Sequence, residues 1–227
     1  MGYAGPYSDD KGRSVCNYLR RHFPEFRPRR ILDLGCTIGA STLPYKELFP
    51  EAEVWGVDVA APCVRYAHLR AVAMGYEAHF AQMNAERTGF PDGHFDLVVS
   101  HVLLHETSGR AMPRVFAECH RLLAPGGAFL SDVFNATRVL STLVSREEKT
   151  VAGERVAIRR SYDPATRRLE KEITMGTGPG ARTFRERVRV YLREELESLH
   201  RDARLTVTAA WGDFDGSPFD PRRSPRL

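Results

Sequence analysis

Cysteine is scarce in this chain: Cys16, Cys36, Cys63 and Cys119 are widely spaced, and no two form a Cys-x-x-Cys pair. That excludes a zinc ribbon, a thioredoxin-type redox motif and a disulfide-stapled secreted scaffold, and it fits a reducing cytoplasm. Long apolar runs are missing as well. The longest, around FDLVVSHVLL, falls far short of the roughly 20 residues that span a bilayer, and the opening MGYAGPYSDDKGRS has no apolar signal core. A soluble, cytoplasmic protein with no membrane partner is expected. Nor is there a large excess of one charge, because 33 Lys and Arg are interspersed with 29 Asp and Glu to leave +4. Composition alone therefore does not make a nucleic-acid binder. What remains is an ordinary globular mixture, 42% apolar and 27% charged over 227 residues. A chain of this size buries roughly 70% of its unfolded surface without needing metal or disulfides to fold.

From about residue 29 to 134 short β-branched runs alternate with turns and helix-period segments, the grammar of a parallel sheet covered by helices. RRILDL, EVWGVD, YEAHFAQ, HFDLVVS and GGAFLSDVF read as strands, with helices over 41–49, 61–74 and 110–123. Ser8 can cap a helix running to about Arg21, covering the sheet or the site. After Phe134 a helix-like stretch to about Arg146 precedes three alternating segments, ERVAIRRSY, RRLEKEITM and RTFRERVRVYL. These read as an antiparallel meander, followed by a helix in LREELESLHRD and one more strand in RLTVTAAWG. The expected fold is α/β, a Rossmann-like doubly wound, mainly parallel sheet with an antiparallel C-terminal addition. Its parts are an N-terminal helix or lid (1–28), a binding core (29–146) and a meander, helix and strand (147–227) that complete the same domain and roof a substrate pocket.

ILDLGCTIGAST carries the most chemistry. Asp33 ends a buried strand, and Gly35 and Gly39 let the following turn approach a ligand at the carboxyl edge of the sheet, where open α/β folds bind. The pattern Gly35, Thr37, Gly39 is not the dinucleotide Gly-x-Gly-x-x-Gly. A buried carboxylate at Asp33 repels a pyrophosphate and attracts a cationic amino acid, which favours S-adenosylmethionine over a nicotinamide cofactor. Asp58 closes the second strand, where a carboxylate accepts from both ribose hydroxyls. Asn84 follows the third strand and can read an adenine edge or serve its own turn. Ser100 and His101 end the fourth.

In their order and spacing, ILDLGCTIGAST, VWGVDVA, NAERTGFPDGHFDLVVSHVLLHE and ECHRLLAPGGAFLSDV resemble the class I S-adenosylmethionine-dependent methyltransferases of small-molecule type, over about residues 29 to 134. The resemblance implies that Asp33, Gly35, Cys36, Thr37 and Gly39 line the methionine and ribose side. It places Asp58 and Val59 at the ribose, Asn84 and Ala85 at the adenine, and Ser100 and His101 at the mouth of the pocket. Thr37 stands where many members have glycine, and Asn84 where many have aspartate. The C-terminal segments from VYLREELESL to SPRL also resemble the family, without its usual last apolar strand. That leaves open a trimmed chain, an exposed sheet edge or a non-standard order.

Methyl transfer from a sulfonium is an in-line displacement, so the protein's main task is to hold donor and acceptor at near-attack distance. If the acceptor is a hydroxyl or phenol, a base must take its proton, and histidine suits that near neutral pH. His105 is the preferred base, with His101 as the other histidine and Glu106 to orient or tune an imidazole. No third ligand stands near this pair, so no metal is expected. The activity implied is methylation of an oxygen or nitrogen of a small molecule, with S-adenosyl-L-homocysteine as by-product. The alternatives are an RNA methyltransferase or a catalytically silent nucleoside-binding scaffold. Nucleic acid is disfavoured as a partner, because acidic residues interrupt the arginines of the meander, and a homodimer is allowed.

Overall fold

The computed structural model describes residues 8–227. Tyr3 and Tyr7, candidates for closing over a sulfonium, lie outside the described residues. The first half builds β1 (Arg30–Leu34), β2 (Glu53–Asp58), β3 (His79–Gln82), β4 (Phe95–His101) and β5 (Leu123–Asp132), all parallel, in the order β3-β2-β1-β4-β5. Both faces of β1 and β4 are buried, which is why RILDL and FDLVVSH read as continuous apolar runs. Alternate residues go to opposite sides. Ile31, Val54, Leu97 and Val99 pack on Val15, Cys16 and Leu19 of α1 (Ser8–His22) and on Tyr45 of α2 (Leu43–Leu48). Leu32, Leu34, Val57, Phe95 and Val98 pack on α5 (Met112–Leu122) through Val115, Phe116 and Leu122, and on α7 (Arg193–Asp202) through Leu196. The helix α3 (Ala61–Ala73) covers β2 and β3. In this order the connections leave β1 in one direction and β4 in the other, and that reversal opens the crevice where such sheets bind ligands.

The second half departs from expectation in two places. The helix-like stretch after Phe134 is short, α6 (Ala136–Ser141), and Arg146–Val151 forms a further strand, β6. With β7 (Glu154–Asp163), β8 (Arg168–Met175) and β9 (Arg182–Arg189) it makes a four-stranded antiparallel sheet rather than a three-stranded meander. REEKTV carries almost no apolar alternation because, as an edge strand, it is solvated on most of its surface. The arginines of this sheet face acidic partners: Arg155–Glu148 and Arg160–Glu147 at 2.7 Å, Arg187–Glu170 at 2.9 Å and Arg185–Glu172 at 3.0 Å.

The second departure is RLTVTAAWG, which forms no strand; only Trp211 makes an isolated bridge, to Pro218. Alternation marks a segment with one apolar face but does not supply a partner edge. Here a cavity of about 270 Å³ lies between this segment, β5, α1 and α7. Trp211 closes one wall by packing on Tyr18, with ring centroids 4.6 Å apart. The end of β5 is taken instead by Leu227, whose amide and carbonyl exchange hydrogen bonds with those of Val133 at 2.9 and 3.0 Å. Among the described residues no helix is long and apolar enough to cross a membrane.

Candidate functional site

The crevice is assembled at the carboxyl ends of β1, β2 and β4. As β1 ends, the chain turns through Gly35 (φ +77°) and Gly39 (φ +75°), conformations an L side chain adopts only under strain. A Cβ on Gly35 would sit 2.9 Å from Leu103, so this glycine also lets β1 and the segment after β4 approach each other. Thr37 lies between them at φ +46°, unusual for a β-branched residue. Its amide donates to Asp58 Oδ2 at 3.0 Å, while the amide of Ala60 donates to Asp58 Oδ1 at 2.8 Å. The carboxylate that ends β2 is thus locked to the glycine turn. Thr37→Gly is expected to relieve the strain and raise stability by about 1 kcal/mol, read from the denaturant midpoint.

Asp33 is fully buried. Its Oδ2 accepts from Ser41 and Thr42 hydroxyls, each at 2.7 Å, whereas Oδ1 has no hydrogen-bond partner. Burial pushes this carboxyl above its ordinary value, against the opposing pull of His101 and of the two hydroxyls. Ser100, opposite Leu34 in the parallel register, is likewise fully buried with an unpartnered Oγ. Buried polar atoms are rarely left unpaired, so Asp33 Oδ1 and Ser100 Oγ stand out as orphaned polar atoms at the ends of β1 and β4. Among the described residues neither Asp33 nor Asp58 takes part in a salt bridge. Among the described residues the turn thus holds two carboxylates unmatched by Lys or Arg, a setting for a cationic, hydroxyl-bearing ligand. Burial pushes the Cys36 thiol up, so this residue offers the turn its backbone and a neutral side chain.

The histidines differ. His101 is the last residue of β4, and its Nε2 lies 2.9 Å from the hydroxyl of buried Tyr45. Its Nδ1 lies 3.8 Å from Asp132 Oδ2, too far for a hydrogen bond. Both ring nitrogens therefore face protein groups, which suits a positioning residue better than the base it was a candidate to be. The chain then turns at Val102 (φ +65°, ψ −31°), a strained conformation for a β-branched residue, into the single turn α4 (Leu103–Glu106). His105 is buried on α4 with its ring 4.5 Å from that of Phe134. Glu106 is exposed, and partial burial pushes its carboxyl up.

On the adenine side, Asn84 is exposed and serves its own turn: Oδ1 accepts from the Glu86 amide at 2.9 Å and its carbonyl from the Arg87 amide at 2.9 Å. This is the turn-forming alternative, and beside it the side-chain NH2 and the second lone pair of Oδ1 can still meet a base. Ala85 packs partly buried on the core, and exposed Val59 takes the Gln82 side-chain amide on its carbonyl at 3.0 Å. Sequence reasoning missed Tyr45, Asp132 and Arg226. Arg226 donates from Nε and Nη2 to the two oxygens of Asp132, and Asp132 in turn faces His101. Only the short SDV at the end of β5 hinted at a carboxylate there, and nothing local linked it to a residue 94 positions later.

Known proteins similar to this chain include methyltransferases. Residues 31–127 match the family model described as a methyltransferase domain. A demethylmenaquinone methyltransferase of Thermus thermophilus is 39% identical over 103 residues, 45% of this chain and 46% of that protein. A trans-aconitate 2-methyltransferase of Methylobacterium radiotolerans is 33% identical over 123 residues, 53% of this chain and 44% of that protein. The matches thus span about half the length, or less, of these curated relatives. Among solved structures, the CcbJ methyltransferase of Streptomyces caelestis superposes with a TM-score of 0.81 at 21% identity, covering 100% of this chain and 95% of that one. An amino pentose methyltransferase of Micromonospora echinaspora, solved with S-adenosylmethionine bound, gives 0.66 at 22% identity over 93% and 89%. At those identities the structures establish the fold alone. Residues 31–127 are thus similar to a methyltransferase domain, on a chain that has the fold of solved methyltransferases.

Proposed function

We propose that this protein binds S-adenosylmethionine and transfers its methyl group to an oxygen or nitrogen of a small molecule. The observation that carries the reading is the buried Asp33, whose free Oδ1 stands beside a glycine turn locked to Asp58. When bound, the cofactor supplies an electrophilic methyl carbon on a sulfonium. Asp33, Ser100 and the backbone of Gly35, Cys36, Thr37 and Gly39 hold its cationic amino acid side, and Asp58 holds the ribose. Asn84, Ala85 and Val59 border the adenine. The protein's work is then orientation and exclusion of water.

His105 is assigned the proton of a hydroxyl acceptor. It is buried on α4 directly after β4, and Phe134 fixes its ring. His101, held between Tyr45 and Asp132, is a positioning residue for the end of β4. A small acceptor is supported by the paired charges of the antiparallel sheet, which leave no continuous basic track for RNA. The test is a screen of hydroxyl and amine acceptors read by S-adenosylhomocysteine release. With a hydroxyl acceptor, His105→Gln is expected to lower kcat about 100-fold and leave cofactor affinity within twofold. An unchanged kcat would remove His105 from the reaction. No product from any acceptor, with cofactor bound, would favour the silent scaffold.

A further inference from the structure

The carboxyl edge of the sheet carries a row of buried ionisable side chains. Asp33 stands opposite Val99 across β1 and β4, and His101 stands opposite Asp132 across β4 and β5. Alternate residues of a strand share a face, so Asp33, His101 and Asp132 lie on the one that α1 and α2 cover. All three are buried, at 0%, 5% and 4% exposure. Arg226 closes one end of the row, its guanidinium on both oxygens of Asp132. At the other end Asp33 Oδ1 has no hydrogen-bond partner. Basic and acidic groups thus alternate along the row, from Arg226 through Asp132 and His101 to Asp33.

A buried carboxylate is costly to ionise unless a cation stands near it. Asp132 has the Arg226 fork, which leaves the charge of a protonated His101 over for Asp33. Asp33 itself receives only the neutral hydroxyls of Ser41 and Thr42. Among the described residues the other ionisable groups facing this row supply no cation. Burial pushes the Tyr45 hydroxyl well above its ordinary value and the Cys16 thiol up to about 12, so both stay neutral, and Asp58 adds only negative charge. The ring of His101 is held for the role. The Tyr45 hydroxyl, 2.9 Å from Nε2, accepts from a protonated ring as readily as it donates to a neutral one, and Nδ1 faces Asp132 at 3.8 Å. His101 draws both carboxyls, Asp33 and Asp132, toward lower values. We propose that His101 is the cation that keeps Asp33 ionised, and is thereby a positioning residue for the cofactor's ammonium, a role that rests on the reading that S-adenosylmethionine binds here. The ammonium then extends the alternation of charge at its open end.

Nuclear magnetic resonance of the unliganded chain tests the charge assignment without a cofactor. In the wild type at about pH 6, the His101 ring, assigned through its own backbone, is expected to carry a proton on both nitrogens. The Asp33 carboxyl carbon, followed over roughly pH 4 to 9, is expected to titrate about one pH unit or more higher in His101→Gln than in the wild type. A neutral ring at that pH would overturn the proposal even if His101→Gln failed to fold, and Asp33 midpoints within about 0.3 of each other would overturn it too. Calorimetry with S-adenosylhomocysteine supplies the second readout. His101→Gln is expected to weaken binding about tenfold near pH 6 and progressively less as pH rises and Asp33 ionises in both chains. A loss equal at every pH would make His101 a structural residue only and overturn the proposal. A wild-type chain that binds no S-adenosylhomocysteine, yet shows the displaced Asp33 titration, would refute the cofactor reading while supporting the coupling of His101 to Asp33.

Discussion

Arg226→Ala is expected to destabilise the protein by about 3 to 5 kcal/mol, the usual cost of stripping the partner from a buried carboxylate. Asp132 is 4% exposed, and the Arg226 fork occupies both its oxygens. His101 Nδ1, at 3.8 Å, does not replace that fork. Burial alone would raise the Asp132 carboxyl, but His101 and Arg226 outweigh it and hold the group below its ordinary value. The sign of the pH dependence follows. A depressed carboxyl contributes stability that is present above its unfolded value, roughly 3.9, and is lost as pH falls through its lower folded value. The Arg226→Ala deficit is therefore largest near neutral pH and narrows in acid, where Asp132 is protonated in both states. Urea titrations at pH 7 and pH 3 measure both quantities. A deficit under 1 kcal/mol at pH 7 would mean that the ion pair does not hold residues 224–227 to the end of β5.

Asp33→Asn separates binding from folding. An asparagine keeps the shape and can accept from Ser41 and Thr42, but it puts an NH2 donor where Asp33 offers its free Oδ1. Affinity for S-adenosylhomocysteine is expected to fall ten- to hundredfold, about 1.4 to 2.7 kcal/mol, as a charged hydrogen bond to the ligand's ammonium is lost. Stability should move the other way. Burial raises the Asp33 carboxyl, so the folded state holds its proton more tightly than the unfolded chain. The benefit of that tighter hold is present in acid and lost as pH rises through the folded value, which leaves a desolvation cost at neutral pH. The neutral amide removes that cost, so the melting temperature at pH 7 is expected not to fall. A variant that binds as well as the wild type would take Asp33 out of the cofactor site.

The parallel sheet was readable because its strands are buried on both faces: RILDL and FDLVVSH cannot be mistaken for amphipathic helix at that length. Asp33, Gly35, Gly39 and Asp58 were readable because the turn's chemistry is local, within one strand, one turn and the next strand end. β6 was not, since a solvated edge strand needs no apolar alternation. RLTVTAAWG was misread for the converse reason: it has the alternation, but it lies across a cavity from the edge strand β5 and pairs with no strand. The relay from Arg226 through Asp132 to His101 and Tyr45 joins four distant segments, which no window of sequence displays. Asn84 shows how far a motif alone reaches. Its position followed from the resemblance, while its use of Oδ1 in a turn depended on local geometry.

Among the described residues, no Lys or Arg matches the two carboxylates of the glycine turn, which favours a cationic cofactor. Calorimetric titration of the purified chain with S-adenosylhomocysteine, with NAD as the control ligand, tests it without requiring an acceptor. Selective binding near 1 μM, about 8 kcal/mol, is expected, with no heat from NAD, whose pyrophosphate the Asp33 carboxylate repels. Binding of NAD in preference, or of neither ligand by a folded sample, would contradict it.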